Sequence, residues 1–162
     1  MTETDVGTSR SFTQQQLQKG ANSLQFATFF LGSELFGINI LQVQEILLKQ
    51  NITPVPLAEH YILGLIGLRG QIVTAINLKQ RLGMESEDVS QEAHHQIVVI
   101  AGDSIASLQV DRIGEVLEIE TKHIQPPPDS LKNIDTRFLE GVTMLKQEIL
   151  AVLNVSAVLE VT

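Results

Sequence analysis

The sequence predicts a mostly β protein: two packed small β-barrels of about five short strands each, with short helices, in an internally duplicated chain. Three observations carry this. Short apolar runs alternate with glycine-containing turns along nearly the whole chain. The second half repeats the first: residues 62–82 lie on 139–159 without a gap, which places Gly64 on Gly141, Leu68 on Leu145, Ile72 on Ile149, Asn77 on Asn154 and Leu82 on Leu159. Finally, 43% hydrophobic residues against 19% charged in 162 residues can build a real core, and with no cysteine that core has no disulfide to lean on. A unit of about 65 residues is marginal alone, so the two units are expected to share an apolar seam.

Residues 1–22 are rich in Thr, Ser and Gln and lack an apolar stretch. They read as a flexible tail, and 23–162 as one domain. Residues 24–31 (LQFATFFL) and 34–38 read as strands around a Gly32-Ser33 turn. Asn39 is placed to cap a helix, because Ile40, Val43, Ile46 and Leu47 follow at helical spacing. Pro54 and Pro56 close that unit. Residues 62–68 and 72–76 flank Arg69-Gly70-Gln71 and predict a hairpin with glycine at its tip. Asn77 then caps a short helix over 78–82, and Gly83 is placed to end it.

Residues 84–95 (MESEDVSQEAHH) are polar and acidic and read as an exposed loop where the first barrel gives way to the second. The grammar then repeats. Strands are expected over 96–101 and 105–110 around Gly102-Asp103. Residues 111–120 occupy the place of the helical segment, with Ile113, Glu115 and Val116 lying on Val43, Glu45 and Ile46. Pro126 and Pro128 match Pro54 and Pro56. A last hairpin over 138–145 and 149–153 leads through Asn154 to a terminal short helix.

Charge and residue types exclude several functions. A net charge of −8 and a pI near 4.9 argue against a nucleic-acid partner, which would need clustered Lys and Arg. No apolar run approaches the ~18 residues of a membrane span, so no direct membrane insertion is expected. Without cysteine there is no thiolate metal site and no cysteine nucleophile. His94 and His95 are adjacent, so in extended chain they point apart, which is not metal-ligand spacing. No pair of carboxylates sits on one firm element for acid–base work. The Gly67-Leu68-Arg69-Gly70 run matches a bare G-x-x-G loop, but its flanks are β-like and not helical. No enzyme, metal or cofactor is expected.

The residues left over suggest an interface. Arg69 stands at the tip of an otherwise apolar hairpin, and Glu45 lies in the segment LQVQEIL. Their counterparts, Lys146 and Glu115, keep the same charge signs. The two charges read either as solvated surface groups or as a charge pair at the rim of a protein interface. Leu63, a large apolar group that breaks the strand alternation, is consistent with the interface reading.

Phe36-Gly37-Ile38-Asn39-Ile40, Val43-Gln44-Glu45-Ile46, the run Gly64-Leu65-Ile66-Gly67-Leu68-Arg69-Gly70-Gln71-Ile72-Val73, Asn77-Leu78 and Val110-Asp111-Arg112-Ile113-Gly114-Glu115-Val116 occur in that order. Together they resemble the successive signatures of the CheW family of chemotaxis coupling proteins, over about residues 24–159. The resemblance implies two SH3-like β-barrels packed around a common core, the CheW-like fold. It implies a non-enzymatic adaptor that couples the cytoplasmic tips of chemoreceptors (methyl-accepting chemotaxis proteins) to the regulatory domain of a CheA-type histidine kinase. The adaptor would be cytoplasmic and recruited to membrane-anchored receptor clusters. Val43, Glu45, Gly64 and Arg69 fall on positions tied to partner binding in the family. The chain departs from the family pattern in having Asn39, Asn77 and Asn154 where Asp is frequent, Gly67 where Asn is usual, and Leu63 where a polar residue is common. The same adaptor role in a type IV pilus or other non-flagellar system fits the resemblance too. A small-ligand-binding module on this fold is the remaining alternative.

Overall fold

The computed structural model describes residues 22–84, 94–131 and 133–160. All of the tail expected over 1–22 except Asn22, and most of the acidic loop expected over 84–95, lie outside those residues. Two five-stranded sheets account for most of the chain, with few and short helices. In chain order the strands are β1 (Ser23–Leu31), β2 (Glu34–Asn39), β3 (Val43–Leu47), β4 (Ile62–Leu68), β5 (Gln71–Asn77), β6 (His95–Ala101), β7 (Ser104–Val110), β8 (Arg112–Glu120), β9 (Leu139–Met144) and β10 (Ile149–Leu153). Helix α1 (Leu78–Leu82) follows β5, and α2 (Val155–Leu159) follows β10.

The duplication is visible in the strand order. The first sheet runs β8-β1-β2-β10-β9 and the second β3-β6-β7-β5-β4. Lay the second half on the first, and both orders become third, first, second, fifth, fourth. Yet each sheet takes its first two strands from one half and its other three from the other half. Four pairings make the joins: β2 with β10 and β5 with β7 in parallel, and β1 with β8 and β3 with β6 antiparallel. The chain moves between sheets at the 3-10 turn Ile40–Gln42 and at Asp111. The segment 84–95 joins α1 to β6 inside the second sheet, so the halves of the repeat do not map one onto each sheet. The exchange follows from chain reach. Leaving β2 for the opposite sheet takes only the three residues of that turn.

The expected helix over 40–47 is a correction. Only Ile40–Gln42 is helical; Val43 onward is strand, paired antiparallel with β6. Val43 faces Val99 and Glu45 faces Val98, so Gln44 is the extra residue of a β-bulge. Burial along β3 still alternates, with Val43, Glu45 and Leu47 half-buried and Gln44 and Ile46 exposed, so the apolar residues three apart that imitate helical spacing lie on opposite faces of a strand. The counterpart β8 is bulged too: Ile113 faces Phe29 and Val116 faces Ala27, so two residues oppose one.

Local capping forms as the sequence predicts. The side chains of Asn77 and Asn154 accept the N–H groups of Gln80 (3.2 Å) and Ala157 (3.1 Å). Gly83 ends α1 at φ +81°.

Three apolar cores result. The large one lies at the seam and includes Phe29, Phe36, Ile38, Leu78, Leu82, Ile97, Leu108, Phe138, Leu153 and Val158, all essentially inaccessible. Phe29 and Phe36 stack there at 5.6 Å. Smaller cores fill the hollow of each sheet, around Phe26, Leu35 and Leu150 in the first and around Ile66, Val73 and Ala75 in the second. Burying a large side chain at such positions is worth about 1.5–3 kcal/mol.

One charged side chain sits at the seam. Arg81 stacks on Tyr61 (4.4 Å to the ring centre) and Phe138 (4.9 Å), two residues equivalent under the repeat. It donates to the carbonyls of Ala157, Val158 and Glu160, closing the C-terminal end of α2. Its own counterpart is the buried Val158. A position between two equivalent rings has room for one guanidinium, so the duplication breaks there.

Candidate functional site

The β4–β5 hairpin turns through two residues, since Leu68 faces Gln71. Arg69 has φ +55° and Gly70 φ +79°. Positive φ at both positions matches the right-handed twist of the strands and favours Asn-Gly or Gly-Gly. An arginine in that conformation costs about 1–2 kcal/mol. Such local cost, kept at an exposed tip, is a pointer to function.

The bulge at Gln44 re-aims Glu45. Its carboxylate accepts a hydrogen bond from Arg69 Nη2 at 3.0 Å, an ion pair in which the arginine side chain is 74% exposed and the glutamate 17%. Strands β3 and β4 are the two outer strands of the second sheet. The sheet therefore curls until the tip of one outer hairpin meets the other outer strand. An ion pair this exposed contributes only about 0.2–1 kcal/mol, less than the turn costs, so stability alone does not account for it.

The other two expected site residues are not on the surface in the same way. Val43 is half-buried and packs on the seam core. Gly64 is buried at φ +147°, and a Cβ there would lie 2.1 Å from the Thr53 carbonyl oxygen. The reason is a strap: Thr53 and Leu65 exchange backbone hydrogen bonds of 2.9 and 2.8 Å across the hairpin. The second half has the same strap. Gln125 and Val142 exchange bonds of 2.8 Å, and a Cβ on Gly141 would lie 2.7 Å from Ile124. Gly64 thus shapes the hairpin and presents no atom of its own.

Exposed apolar residues lie close to the pair in sequence, and sequence reasoning passed over them. Ile46 (44% exposed) and Leu48 (72%) flank Glu45 along the chain, and Ile72 (73%) flanks the turn. The signal was available for Ile72: a two-residue turn fixes the register, which places Ile72 opposite Gly67, where no side chain can cover it. Leu63 is half-buried. It packs against the Ile66, Val73 and Ala75 cluster, so its break in alternation reflects the filling of the sheet's hollow.

The equivalent place in the second half is built differently. The β9–β10 connection is a four-residue loop closed by a bond from the Leu145 N–H to the Glu148 carbonyl, and Lys146 makes no ion pair with Glu115. Glu115 instead has its main-chain carbonyl bound by the Thr28 hydroxyl. Elsewhere, His94 lies 3.9 Å from Asp111, which also takes Lys79 at 3.1 Å and the Gly32 N–H. Among the described residues no three potential ligands gather to hold a metal ion, and no helix is long and apolar enough to cross a membrane.

The ordered signatures and the exchanged pair of sheets point to one family, and the comparison that decides it is a match of the CheW-like domain to residues 25–162. This chain belongs to the CheW family. Chemotaxis protein CheW of Treponema pallidum is 31% identical over 134 residues, covering 81% of this chain and 79% of that protein. The CheW of Helicobacter pylori is 30% identical over 137 residues, 85% of this chain and 82% of its own. Among solved structures, the scaffolding protein TtCheW from Thermoanaerobacter tengcongensis superposes with a TM-score of 0.78 at 33% identity, over 85% of this chain and 93% of that one. The CheW-like fold expected from the sequence is thus the fold found.

Proposed function

We propose that this chain is a non-enzymatic adaptor of a bacterial chemosensory array, coupling methyl-accepting chemoreceptors to a CheA-type histidine kinase. The observation that carries the reading is the Arg69–Glu45 pair, held in a locally unfavourable turn at an exposed tip with bare apolar residues next to it along the chain, in a chain of the CheW family. Arg69 and Glu45 face the partner. Val43 anchors β3, and Gly64 lets the strap pass beneath the hairpin, so these two act by holding the pair in place.

In this reading the protein is a rigid bridge that works in the cytoplasm beneath receptor clusters. The curled edge of the second sheet takes the kinase regulatory domain, and a groove near the seam takes the helical tip of the receptor. Each interface is small, on the order of 1,200 Å² or less, and roughly micromolar. Arraying many copies makes such contacts effective by multivalency. Signalling then requires contacts that differ between kinase states.

The test is a titration of the chain with the CheA-type kinase of the same genome, followed by the Arg69→Glu variant. A saturable micromolar complex that Arg69→Glu abolishes, with the fold intact by circular dichroism, supports the reading. Absence of any complex with a kinase of that genome rejects it.

A further inference from the structure

The chain passes from one sheet to the other twice, and the two passages are held differently. At the first, the 3-10 turn Ile40–Gln42, the Asn39 side chain accepts the Leu41 N–H at 2.9 Å, a bond between near neighbours. The second is the single residue Asp111 between β7 and β8. Its N–H donates to the Phe30 carbonyl at 3.1 Å. Its carboxylate accepts the Gly32 N–H at 2.6 Å from the β1–β2 turn of the first sheet. It also takes Lys79 Nζ at 3.1 Å from α1, which follows β5 of the second sheet. His94, at the entry to β6 of the second sheet, lies 3.9 Å from the same carboxylate. The Lys79 and Asp111 side chains are only 23% and 28% exposed, so solvent screens this pair less than one on the open surface. Leu41, which the repeat places on Asp111, is uncharged and exposed. The Asp111 carboxylate thus has no counterpart in the other half, and its partners come from both sheets.

We propose that Asp111 is a latch between the two sheets, in which the Lys79 ion pair and the Gly32 hydrogen bond close and open together. Closed, it holds the β1–β2 turn against α1 and the entry to β6. Open, it frees those three pieces as one unit while the seam core keeps the sheets joined. The coupling follows from the geometry. Both bonds end on the same oxygen, Oδ2, so a carboxylate that swings away from one partner leaves the other. The independence from the core follows from burial. Gly32 is exposed and Lys79 and His94 are half-buried, whereas Leu31, Leu78 and Ile97 just behind them are inaccessible. A few polar contacts at the margin of a large apolar core make a unit of low local stability, able to open without global unfolding. The latch needs no partner and stands apart from the adaptor reading. In an adaptor, a closed latch carries a displacement of one sheet to the other.

Amide hydrogen exchange of the full-length chain, followed residue by residue by NMR, tests the latch with the Asp111→Ala and Lys79→Met variants. Asp111→Ala should speed exchange by about tenfold or more at Gly32. The paired residues His95 and Val110, at the open end of the β6–β7 hairpin, should speed up in step with it. Phe36 and Val99, in the seam core, should keep their parental rates. Lys79→Met leaves the Gly32 acceptor in place, yet it should still speed Gly32, by roughly threefold, because the shared oxygen has lost its cation. High salt should speed Gly32 in the parent chain and leave Lys79→Met unchanged. Faster exchange at Gly32 alone in Asp111→Ala overturns the latch, since the carboxylate then only caps its turn. Parental exchange at Gly32 in Lys79→Met overturns it too, as does salt-independent exchange there in the parent chain. The last two readings keep the test open should Asp111→Ala fail to fold.

Discussion

The β4–β5 and β9–β10 hairpins descend from one pattern and have diverged at a single end. Both have a buried glycine under a backbone strap, Gly64 beneath Thr53 and Gly141 beneath Gln125. Both feed an Asn-capped short helix, and the N–H groups of Asn77 and Asn154 bind the carbonyls of Tyr61 and Phe138. The tips differ. One is a two-residue turn that holds Arg69 against Glu45; the other is a four-residue loop whose Lys146 has no such partner. The shared parts are those that backbone sterics and hydrogen-bond satisfaction demand. The unshared part is exposed, locally costly and free to specialise. That contrast separates scaffold from site within one molecule.

The strongest challenge to the comparison is at the two strapped glycines. Gly64→Ala meets both a forbidding φ and the Thr53 carbonyl, and is expected to destabilise by roughly 3 kcal/mol or more. Gly141→Ala meets only crowding and should cost less, about 1–3 kcal/mol. Urea denaturation of both variants gives the ranking; equal losses would mean that the straps, not the backbone angle, dominate.

Next come the tips. Arg69→Glu should weaken partner binding roughly a hundredfold, while Lys146→Glu changes it less than about twofold. Calorimetric titration of the two variants against the kinase measures this, and comparable losses would erase the distinction between the hairpins.

Arg81 sharpens the comparison at the seam, where only one half supplies the side chain. Arg81→Met keeps much of the stacking surface but removes the bonds to three carbonyls at the end of α2. A loss of about 1–2 kcal/mol is expected, together with faster amide exchange in α2 than in α1. Unchanged exchange in α2 would show that its packing alone secures it.

The smallest effect concerns Glu140, the counterpart of the half-buried Leu63. Partial burial of its carboxyl raises its pKa above the ordinary value although the residue as a whole stays exposed. The folded state then holds the proton more tightly than the unfolded chain. This group therefore favours folding at acid pH, and that contribution is lost as pH rises from the unfolded pKa through the raised folded one. Glu140→Gln should accordingly be slightly more stable than the parent chain at neutral pH, with the gain fading on acidification. Melting curves across that range check the sign.

Much of the fold was legible in the sequence. The hairpins and helix caps follow from two-residue periodicity, turn glycines and capping asparagines, all of which act over a few residues. The repeat was legible because both halves solve the same steric problems with the same residues. The departure over 40–47 has an equally local cause: Val43 and Ile46 are both apolar although one is half-buried and the other exposed on the opposite face of β3, and apolar residues three apart imitate a helix. The partial burial of Leu63 was not legible because the hollow of a curled sheet is invisible to alternation counted along one strand. Of the site, the residue types of Arg69 and Glu45 could be picked out, but their contact could not.

What the sequence by itself determined is the hairpins and their turns, the capped short helices, the duplication and the family. What only the tertiary structure decided is which half each sheet draws on, the meeting of Arg69 with Glu45 across a curled sheet, the burial of Gly64 under its strap, and the single place for Arg81 between Tyr61 and Phe138. The first set depends on sterics and hydrogen bonds between near neighbours in the chain. The second depends on pairings and packing between residues far apart in sequence, where several arrangements satisfy the same local rules and only the burial of a common core selects one.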